Sequence, residues 1–399
     1  MYSEKIKSLV SKHYDEAAKI RQHLHKYPEL SLQEEKTAKL VEETLAKAGI
    51  KSRRLFKTGV VGLIEGGLPG KHGLPGKTVL LRADMDALAM TEDSGLDYAS
   101  AEPGVMHACG HDGHTAGLLL AAMALSEMKD DLKGNVKLMF QPGEETVGGA
   151  APMIEEGVLE SPKVDAAFGC HLWGQAPEGT VWVKNGPVMA GPDQFDIKVI
   201  GKGGHGAQPH VAADPVVMAA QIINSFQTVI SRRKNPLEPA VVSVCAIHGG
   251  TVHNIIPESV TMIGTIRTFD ENLRQWIPKA LEDTVAAITR SSGGDYEFDL
   301  ALGYPPLIND EKMTDLSREA IAKIIGAENV KYMKDPSMGG EDFSYLCQKV
   351  PASFFFVGIA KDMENAPIHH NPKFAWDDRV LQTAAASLCQ IAFDFLNGG

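Results

Sequence analysis

The sequence predicts an α/β protein with a mostly parallel sheet, joined to a second, smaller α+β region. Short apolar segments alternate with helical segments in the first half of the chain, which is typical of a parallel sheet with helices on both faces. The chain has 399 residues, 44% apolar and 23% charged, so it is too long for one compact core and too apolar for disorder. From about residue 188 the order of elements changes to βαββαβ. We therefore expect two domains.

The first region begins with two amphipathic helices, expected at roughly residues 4–25 and 33–48. The strands VVGLIEGG, KTVLLRADMDAL, NVKLMF and VDAAFGC follow, with helices in TAGLLLAAMALSEM and near APMIEEG. The linker LPGKHGLPGK is predicted to form paired turns. Polar clusters follow three of the strands, in ADMDAL, QPGEE and HLWG. Since ligands bind beyond the carboxyl ends of such strands, we expect the functional site there.

The second region has strands in QFDIKVIG, AVVSVCAIHGG, SVTMIGTIRTF and DYEFDLALGY, and helices in DPVVMAAQIINSFQTVIS and ENLRQWIPKALEDTVAAIT. This order favours a ferredoxin-like sandwich. The pattern of the first region resumes after YPP, so the second region is predicted to be an insertion. The expected domains are residues 1–187, the inserted residues 188–303, and residues 304–399 as the second part of the first domain.

Composition excludes several functions. A net charge of −12 and a pI near 5.6 argue against nucleic acid or an anionic membrane as a partner. The N-terminus has no signal-peptide pattern, and the apolar stretch AGLLLAAMALS is too short to span a bilayer. The five scattered cysteines predict no disulfide framework. We expect a cytoplasmic protein that acts on small molecules.

The segment MHACGHDGHTAG and three later segments contain metal-binding side chains. The donors that carry the argument are Cys109, His111, Glu144, Glu145 and His171, with His369 and His370 in HHNPKF. This mixture of thiolate, imidazole and carboxylate suits zinc, manganese or cobalt, and donors from distant loops favour a catalytic site. One glutamate of the doublet could bind metal while the other accepts a proton from water. A solvated acidic loop remains the alternative for the doublet.

Other interpretations of the motifs were weighed. GKGGHG matches a dinucleotide-binding fingerprint, but the next helix is expected only near Asp214, so an oxidoreductase is disfavoured. A serine hydrolase would need Gly-x-Ser-x-Gly, which the sequence lacks. A cysteine nucleophile, Cys109 beside His111, stays open. So does a protein that binds metal without catalysing a reaction, although that role would leave Glu144 without a purpose.

Eight motifs occur together, in the order MHACGHDGHTA, FQPGEE, GCHLWG, GKGGHGAQPH, VHNIIP, GTIRTF, MGGEDFSY and HHNPKF. Over nearly the whole chain this set resembles the dinuclear metallo-amidohydrolase family of aminoacylases, hippurate hydrolases and auxin-conjugate hydrolases. That family belongs with the carboxypeptidase G and deacetylase superfamily. The resemblance implies a catalytic domain with an inserted lid, or dimerisation, domain of the ferredoxin-like type.

The resemblance also implies roles for individual residues. Two divalent metal ions, zinc, manganese or cobalt, would be bound at the family's ligand positions Cys109, His111, Glu145, His171 and His370. Glu144 matches the general base and Asp86 an assisting carboxylate. His107, Asp112 and His114 are expected to shape the loop or the helix start. Other superfamily branches have a histidine ligand at the position of Asp84, which we leave unassigned or as a turn cap.

Three residues of the lid region, and Gly340 in the last part of the chain, complete the expected site. His205 matches a histidine that stabilises the oxyanion, from a partner subunit in dimeric members, and Asn254 assists it. Arg267 matches a residue that holds the substrate carboxylate, although from the motif alone it could be an edge residue reaching solvent. Gly340, in MGGEDFSY, is expected to contact substrate. A homodimer or higher homo-oligomer is therefore expected.

The expected activity is hydrolysis of the amide bond of N-acyl amino acids by a metal-activated water, with Glu144 as general base. The alternative is a metallo-carboxypeptidase or dipeptidase that cleaves short peptides with a free C-terminal carboxylate.

Overall fold

The computed structural model describes residues 2–70, 76–146 and 148–398. The chain divides into two compact units, which we call unit 1 (Met1–Gly186, Asn309–Asp335 and Tyr345–Gly399) and unit 2 (Pro187–Ile308 and Pro336–Ser344). The centre of the linker LPGKHGLPGK lies outside the described residues, so its paired turns stay a prediction.

The helices, in chain order, are α1 (Tyr2–Lys26), α2 (Glu35–Lys47), α3 (His111–Glu127), α4 (Ala150–Glu155), α5 (Pro215–Thr228), α6 (Glu271–Ser291), α7 (Glu311–Ile325), α8 (Ser344–Cys347) and α9 (Val380–Asn397). The strands are β1 (Lys51–Arg54), β2 (Val60–Glu65), β3 (Lys77–Asp84), β4 (Gly134–Gln141), β5 (Ala166–Pro177), β6 (Val181–Val183), β7 (Gly186–Met189), β8 (Gly191–Ile200), β9 (Gly204–His205), β10 (Ala240–His248), β11 (Ile255–Ile256), β12 (Ser259–Thr268), β13 (Asp295–Leu302), β14 (Leu307–Asn309), β15 (Val330–Tyr332) and β16 (Ala352–Ala360).

Unit 1 is built on an eight-stranded sheet of order β1-β2-β4-β3-β5-β16-β6-β15. Its four central strands, β4, β3, β5 and β16, are parallel to one another. Strand β3 is buried from Thr78 to Asp84, with Val79, Leu80 and Leu81 fully inaccessible. Each such side chain contributes about 1.5–3 kcal/mol of transfer free energy. The parallel arrangement places the carboxyl ends of these strands at one edge.

The helices of unit 1 bury apolar faces in the same core. In α1 the buried residues include Ile6, Val10, Ala17 and Leu24, on the inner face of an amphipathic helix. Helix α3 is different, because it is buried from His111 to Leu125. It packs between α1 and α9 and against β3, so its first turn is held firmly at the edge where the polar clusters emerge.

Unit 2 contains a four-stranded antiparallel sheet of order β10-β12-β8-β13. The elements follow one another as β8, α5, β10, β12, α6 and β13, which is the βαββαβ order of a ferredoxin-like sandwich. Helices α5 and α6 pack on the sheet and share a core with Phe195 and Ile197 of β8.

The predicted fold class is confirmed: an α/β unit with a mostly parallel central sheet carries an inserted α+β unit of ferredoxin-like type. Unit 2 additionally takes in Pro336–Ser344, a segment that the sequence analysis assigned to the last part of the chain. The exact boundaries of a catalytic and a lid domain stay a prediction. Within the described ranges, no helix is both long and apolar enough to cross a bilayer.

Candidate metal centre

Asp86, two residues beyond β3, connects three parts of the site. Its carboxylate accepts hydrogen bonds from the backbone N–H of Glu144 at 3.1 Å and of Glu145 at 2.9 Å. It also accepts one from Ser31 Oγ at 2.6 Å and lies 3.2 Å from His111 Nδ1. Burial works to raise the pKa of Asp86, but these hydrogen bonds lower it below its ordinary value. The carboxylate is therefore ionised and fixes the glutamate doublet beside His111.

The loop before α3 has a backbone that only glycine supports well. Gly110, directly before the helix, has φ of 96°, in the left-handed region. At Gly113, a Cβ atom would lie 2.4 Å from the Trp376 ring and 2.6 Å from Leu172 Cδ1. Gly110 thus lets the chain turn before α3 begins at His111, and Gly113, within α3, lets Trp376 and Leu172 pack against the first turn of the helix.

Cys109, His111 and His171 form a first group of donors, whose ligand atoms all lie within 4.8 Å of one another. The Cys109 Sγ to His171 Nε2 distance is 3.4 Å. His111 Nδ1 donates to the carbonyl of Asp86 at 2.9 Å, and His171 Nδ1 donates to the carbonyl of Leu172 at 2.7 Å. Because both Nδ1 atoms donate, the Nε2 atoms are the ones with a lone pair for a metal in the neutral rings.

Glu145 and His370 form a second group with the same Cys109, again within 4.8 Å. His370 Nε2 lies 3.3 Å from Glu145 Oε1, and this contact raises the pKa of His370. The backbone N–H of His370 donates to Ala108 at 2.9 Å, so the C-terminal loop is tied to the cysteine loop. Glu144 joins His111 and Glu145 in a third overlapping group.

The chemistry of these donors fits divalent metals. His111 Nε2 is buried and has no hydrogen-bond partner in the part of the chain that the structure describes. Burial works to lower the pKa of His111, but the charge of Asp84 and the bond to Asp86 raise it well above its ordinary value. Surroundings that stabilise a positive ring also stabilise a metal cation. Two overlapping sets of sulfur, nitrogen and oxygen donors that share Cys109 are suited to more than one ion.

His171 and Cys109 respond to the same burial in opposite ways. Burial, followed by the charges of His114 and His369, holds the pKa of His171 well below its ordinary value, so the ring is neutral and ready to bind metal. Burial, followed by the charge of Glu145, raises the pKa of the Cys109 thiol well above its ordinary value. A thiolate at this position therefore requires a compensating cation.

Neighbouring polar residues have structural partners instead. His369 Nε2 accepts from the backbone N–H of Gly174 at 3.1 Å, which leaves His370 as the better ligand of the pair. Asp112 is fully buried and accepts from Arg21 Nε at 2.8 Å and from His25 Nδ1 at 2.9 Å. Asp112, which the sequence analysis assigned to the loop or the helix start, thus connects α3 to α1.

In unit 2 the structure brings His205 and Asn254 together. His205, in β9, pairs with Ile255 of β11, and the backbone N–H of Gly206 donates to the carbonyl of Asn254 at 2.8 Å. Both His205 and Asn254 are exposed. His205 Nδ1 accepts from the Ala207 N–H at 3.0 Å, so in the neutral ring the proton is on Nε2 and can be donated to a ligand.

Arg267 and Gly340 are also neighbours within unit 2. Arg267 lies on β12, an inner strand, opposite Pro192 of β8, and its Nη1 lies 3.4 Å from the carbonyl of Met338. A Cβ atom on Gly340 would lie 2.7 Å from Pro192 Cγ. The Arg267 side chain is half-buried, and burial lowers its pKa. An edge residue that simply reaches solvent does not describe this position.

Comparison with known proteins identifies the family. The sequence pattern of peptidase family M20/M25/M40 matches residues 80–394. The chain belongs to this family. It is 45% identical over 311 residues to an N-acyl-L-amino acid amidohydrolase of Geobacillus stearothermophilus, covering 77% of this chain and 82% of that one. It is 40% identical over 400 residues to thermostable carboxypeptidase 1 of Saccharolobus solfataricus, covering 99% of both.

A solved M20 structure has the same fold. The YXEP protein of Bacillus subtilis, described as a dinuclear metal binding peptidase, superposes with a TM-score of 0.83 at 33% identity. The match covers 97% of this chain and 99% of that chain. The family resemblance predicted from the eight motifs is confirmed.

Two residues near the site were missed by the sequence analysis, Ser31 and Glu34 in the segment between α1 and α2. Ser31 donates to Asp86, as described above. Glu34 is buried and accepts from the backbone N–H of Gly143, the residue before Glu144, at 3.0 Å. No periodicity or motif marks these residues, because they act through tertiary contacts. A buried glutamate in an otherwise polar turn is recognisable only once the fold is known.

Proposed function

We propose that this protein is a metal-dependent hydrolase that cleaves the amide bond of N-acyl amino acids, with Glu144 as general base. The observation that carries the proposal is the contact of one carboxylate, Asp86, with the backbone N–H of both Glu144 and Glu145 and with His111. A base and two metal-binding side chains are therefore held together by a single buried group. The membership in the M20 family and the N-acyl-amino-acid amidohydrolase among the relatives support the same activity.

Cys109, His111, Glu145, His171 and His370 would hold two divalent metal ions. The dinuclear metal binding peptidase of Bacillus subtilis supports this number, and the overlapping donor groups around Cys109 support it independently. When bound, such ions increase the acidity of a water and polarise the substrate carbonyl. Zinc, manganese and cobalt all suit the mixed donors.

Glu144 would move the proton. Its side chain is buried, and its carboxylate lies within 4.8 Å of the ligand atoms of His111 and Glu145. In the proposed reaction Glu144 takes a proton from the attacking water and delivers it to the nitrogen of the leaving amine. The hydrogen bond from its backbone N–H to Asp86 keeps residue 144 beside His111.

Residues of unit 2 would bind the rest of the substrate. His205, with its proton on Nε2, and Asn254 would donate hydrogen bonds to the oxyanion. Arg267 would hold the substrate carboxylate, with Gly340 leaving room beside it. We further propose a homodimer or higher homo-oligomer in which His205 serves the site of a partner subunit.

The carboxypeptidase among the relatives keeps a second candidate function open. A peptide with a free C-terminus and an N-acyl amino acid share the same scissile unit, an amide nitrogen next to a carbon that carries a carboxylate. They differ only in the group on the acyl side. A carboxypeptidase would use the same base and the same carboxylate clamp.

A cysteine nucleophile is disfavoured by the surroundings of Cys109. Nucleophilic cysteines have a lowered pKa, whereas burial, followed by the charge of Glu145, raises the pKa of this thiol. His171 Nδ1 donates to the backbone carbonyl of Leu172, whereas Nδ1 of His111, the histidine that the sequence placed beside Cys109, lies 3.2 Å from Asp86 Oδ1. The raised pKa of the thiol is therefore the observation against a nucleophilic role, and loss of activity on chelation separates the two mechanisms.

The test is a hydrolysis panel on chelator-treated protein reconstituted separately with zinc, manganese and cobalt. The substrates are N-acetyl, N-benzoyl and indole-acetyl amino acids and N-blocked dipeptides. We expect activity to be lost on chelation, to return with metal, and to be higher for the acyl amino acids. Preference for the dipeptides would establish the carboxypeptidase instead. Full activity in the presence of chelator would overturn the metal mechanism.

A further inference from the structure

We infer that His114, oriented by Asp84, is a positioning residue that holds the metal ligand His171 in place, and that His114 itself binds no metal. The inference deepens the proposed function and rests on its assignment of His171 as a ligand. It gives a role to Asp84, which the sequence left unassigned, and a more specific role to His114, which was expected only to shape the loop or the helix start.

His114 and His171 both form hydrogen bonds with the backbone of Leu172. The N–H of Leu172 donates to His114 Nε2 at 2.9 Å, and the carbonyl of the same Leu172 accepts from His171 Nδ1 at 2.7 Å. β5 stays paired with β16 at Leu172, but its pairing with β3 ends at Gly169, so on that side His114 is the acceptor for the N–H of Leu172. The rings of His114 and His171 also pack edge to face, with centroids 4.5 Å apart.

These hydrogen bonds determine the tautomer of His114. Because a backbone N–H can only donate, Nε2 must accept, and the proton of the neutral ring is on Nδ1. Nδ1 donates to Asp84 Oδ1 at 2.6 Å, and Asp84 Oδ2 accepts from Arg82 Nη1 at 2.6 Å. All three side chains are almost completely buried. A continuous path therefore runs from Arg82 through Asp84 and His114 to the backbone of Leu172.

The same bonds exclude His114 as a ligand. The ligand atoms of Asp84, His111 and His114 lie within 4.8 Å of one another, which by distance alone would suit a metal ion. Both ring nitrogens of His114 are nevertheless engaged, one as a donor and one as an acceptor, so no lone pair is left for a metal. A metal at this group would have to break the bond to Leu172 and release His171.

Asp84→Asn should disturb this path without removing an atom from the framework. The amide oxygen would accept from Arg82, so the amide NH₂ would face Nδ1 of His114. Nδ1 would then have to accept, and the proton would move to Nε2, opposite the N–H of Leu172. Two donors facing each other cannot bond. We therefore expect Asp84→Asn to release Leu172 as effectively as His114→Leu does.

The experiment measures metal binding, not turnover. Metal-free wild type and the variants His114→Leu, His114→Gln, Asp84→Asn and His171→Ala are titrated with Zn²⁺ by calorimetry, and their Co²⁺ forms are recorded in the visible spectrum. Gln is chosen because its amide oxygen can accept at the position of Nε2. His107→Leu is the matched control, since it removes a buried imidazole of the same loop whose ring nitrogens have no hydrogen-bond partner within the described residues.

We expect His114→Leu and Asp84→Asn to weaken one of two Zn²⁺ equivalents by about 10- to 100-fold, the usual effect of removing a group that orients a ligand. The Co²⁺ bands should shift. His114→Gln should bind Zn²⁺ nearly as wild type does, and His107→Leu should match wild type.

Wild-type affinity in His114→Leu, or equal weakening in His114→Gln, would overturn the inference. Equal weakening in His107→Leu would do so too, because the loss would then come from any disruption of the loop. If His114→Leu does not fold, His114→Met takes its place, since it fills a similar volume without a strong acceptor for Leu172. The reference variant separates the two proposals: if His171→Ala keeps both equivalents, the ligand assignment of the proposed function is wrong.

Discussion

The candidate site residues of unit 1 and those of unit 2 differ in how firmly they are held. His111 and His171 are 1% and 5% exposed, and each is fixed by a hydrogen bond from Nδ1 to a backbone carbonyl. His205 and Asn254 are exposed; His205 lies in β9, and Asn254 directly precedes β11, the short strand that pairs with β9. The site residues of unit 1 are held in place by hydrogen bonds within the protein, whereas those of unit 2 present their hydrogen-bonding groups to solvent. This difference matches a division between holding metal and meeting substrate.

The physical reason for the difference is the cost of burial. A buried polar group without a partner is destabilising by about 1–3 kcal/mol, so a buried metal site needs a second layer of groups that satisfy and orient its ligands. Asp86 and Ser31 belong to that layer. Exposed residues such as His205 need no such layer. We therefore expect substitutions in unit 1 to change metal content or the proton transfer, and those in unit 2 to change turnover alone.

The largest expected effect is that of Glu144→Gln. The amide cannot accept a proton from water, so turnover should fall by roughly 10²- to 10⁴-fold, the contribution typical of a general base. The backbone N–H of residue 144 still donates to Asp86, so metal content, measured by atomic emission, should stay at the wild-type level. Glu145→Gln is the matched variant of the neighbouring residue and should lose metal as well. If both variants lost metal equally, the division of roles within the doublet would be wrong.

Cys109→Ser should weaken metal binding in unit 1. Cys109 belongs to two of the donor groups, and a serine hydroxyl is a poor, mostly protonated substitute for a thiolate. We expect metal affinity to fall by more than the roughly 10- to 100-fold that is typical of removing a residue that only orients a ligand. Equilibrium dialysis against a Zn²⁺ buffer checks this, with Cys170→Ser, which changes a buried cysteine of β5, as the control. Unchanged affinity and rate in Cys109→Ser would remove this cysteine from the site.

The sequence predicted much of the fold because its elements have clear patterns. Helix α1, expected at roughly residues 4–25, runs from Tyr2 to Lys26, and the βαββαβ order of unit 2 follows from alternating apolar strands between two helices. The segment Pro336–Ser344 was not predicted to belong to unit 2. It is a loop that returns late in the chain, and loop packing leaves no periodic signal.

The candidate site was predicted less evenly. Motifs that resemble a family located the ligand candidates, and Asp86 was expected to assist them. The positions of Ser31, Glu34 and His114 depend on contacts between residues 30 to 109 positions apart in sequence. Spacing within a motif carries no information on such contacts, so only the fold reveals them.

His205→Ala tests whether a site residue of unit 2 affects turnover without affecting metal content. We expect turnover to fall by roughly 10²- to 10³-fold, the effect of removing one oxyanion donor, with metal content and the Co²⁺ spectrum unchanged. If His205 serves a partner subunit, mixing inactive His205→Ala with inactive Glu144→Gln protein should restore activity, because some sites then contain both intact groups. The control is His210→Ala, an exposed histidine of the same loop, which should behave as wild type. Loss of metal in His205→Ala would contradict the division between the two regions.

The smallest expected effect sharpens what unit 2 recognises. Arg267→Lys keeps the positive charge but loses the planar pair of donors that matches a carboxylate. A charge-assisted hydrogen bond contributes about 1.5–3 kcal/mol, so kcat/KM for N-acyl amino acids should fall roughly 10- to 100-fold. The corresponding amides, in which the carboxylate is masked, should lose much less.

Arg267 is half-buried on an inner strand and its Nη1 already lies 3.4 Å from the Met338 carbonyl, so a structural role would lower the rates for free and masked substrates alike. Arg290→Lys, on the exposed end of α6, controls for the exchange itself. Wild-type protein that hydrolysed free acids and amides equally well, together with an Arg267→Lys variant that matched it on both, would show that unit 2 does not recognise the carboxylate through this residue.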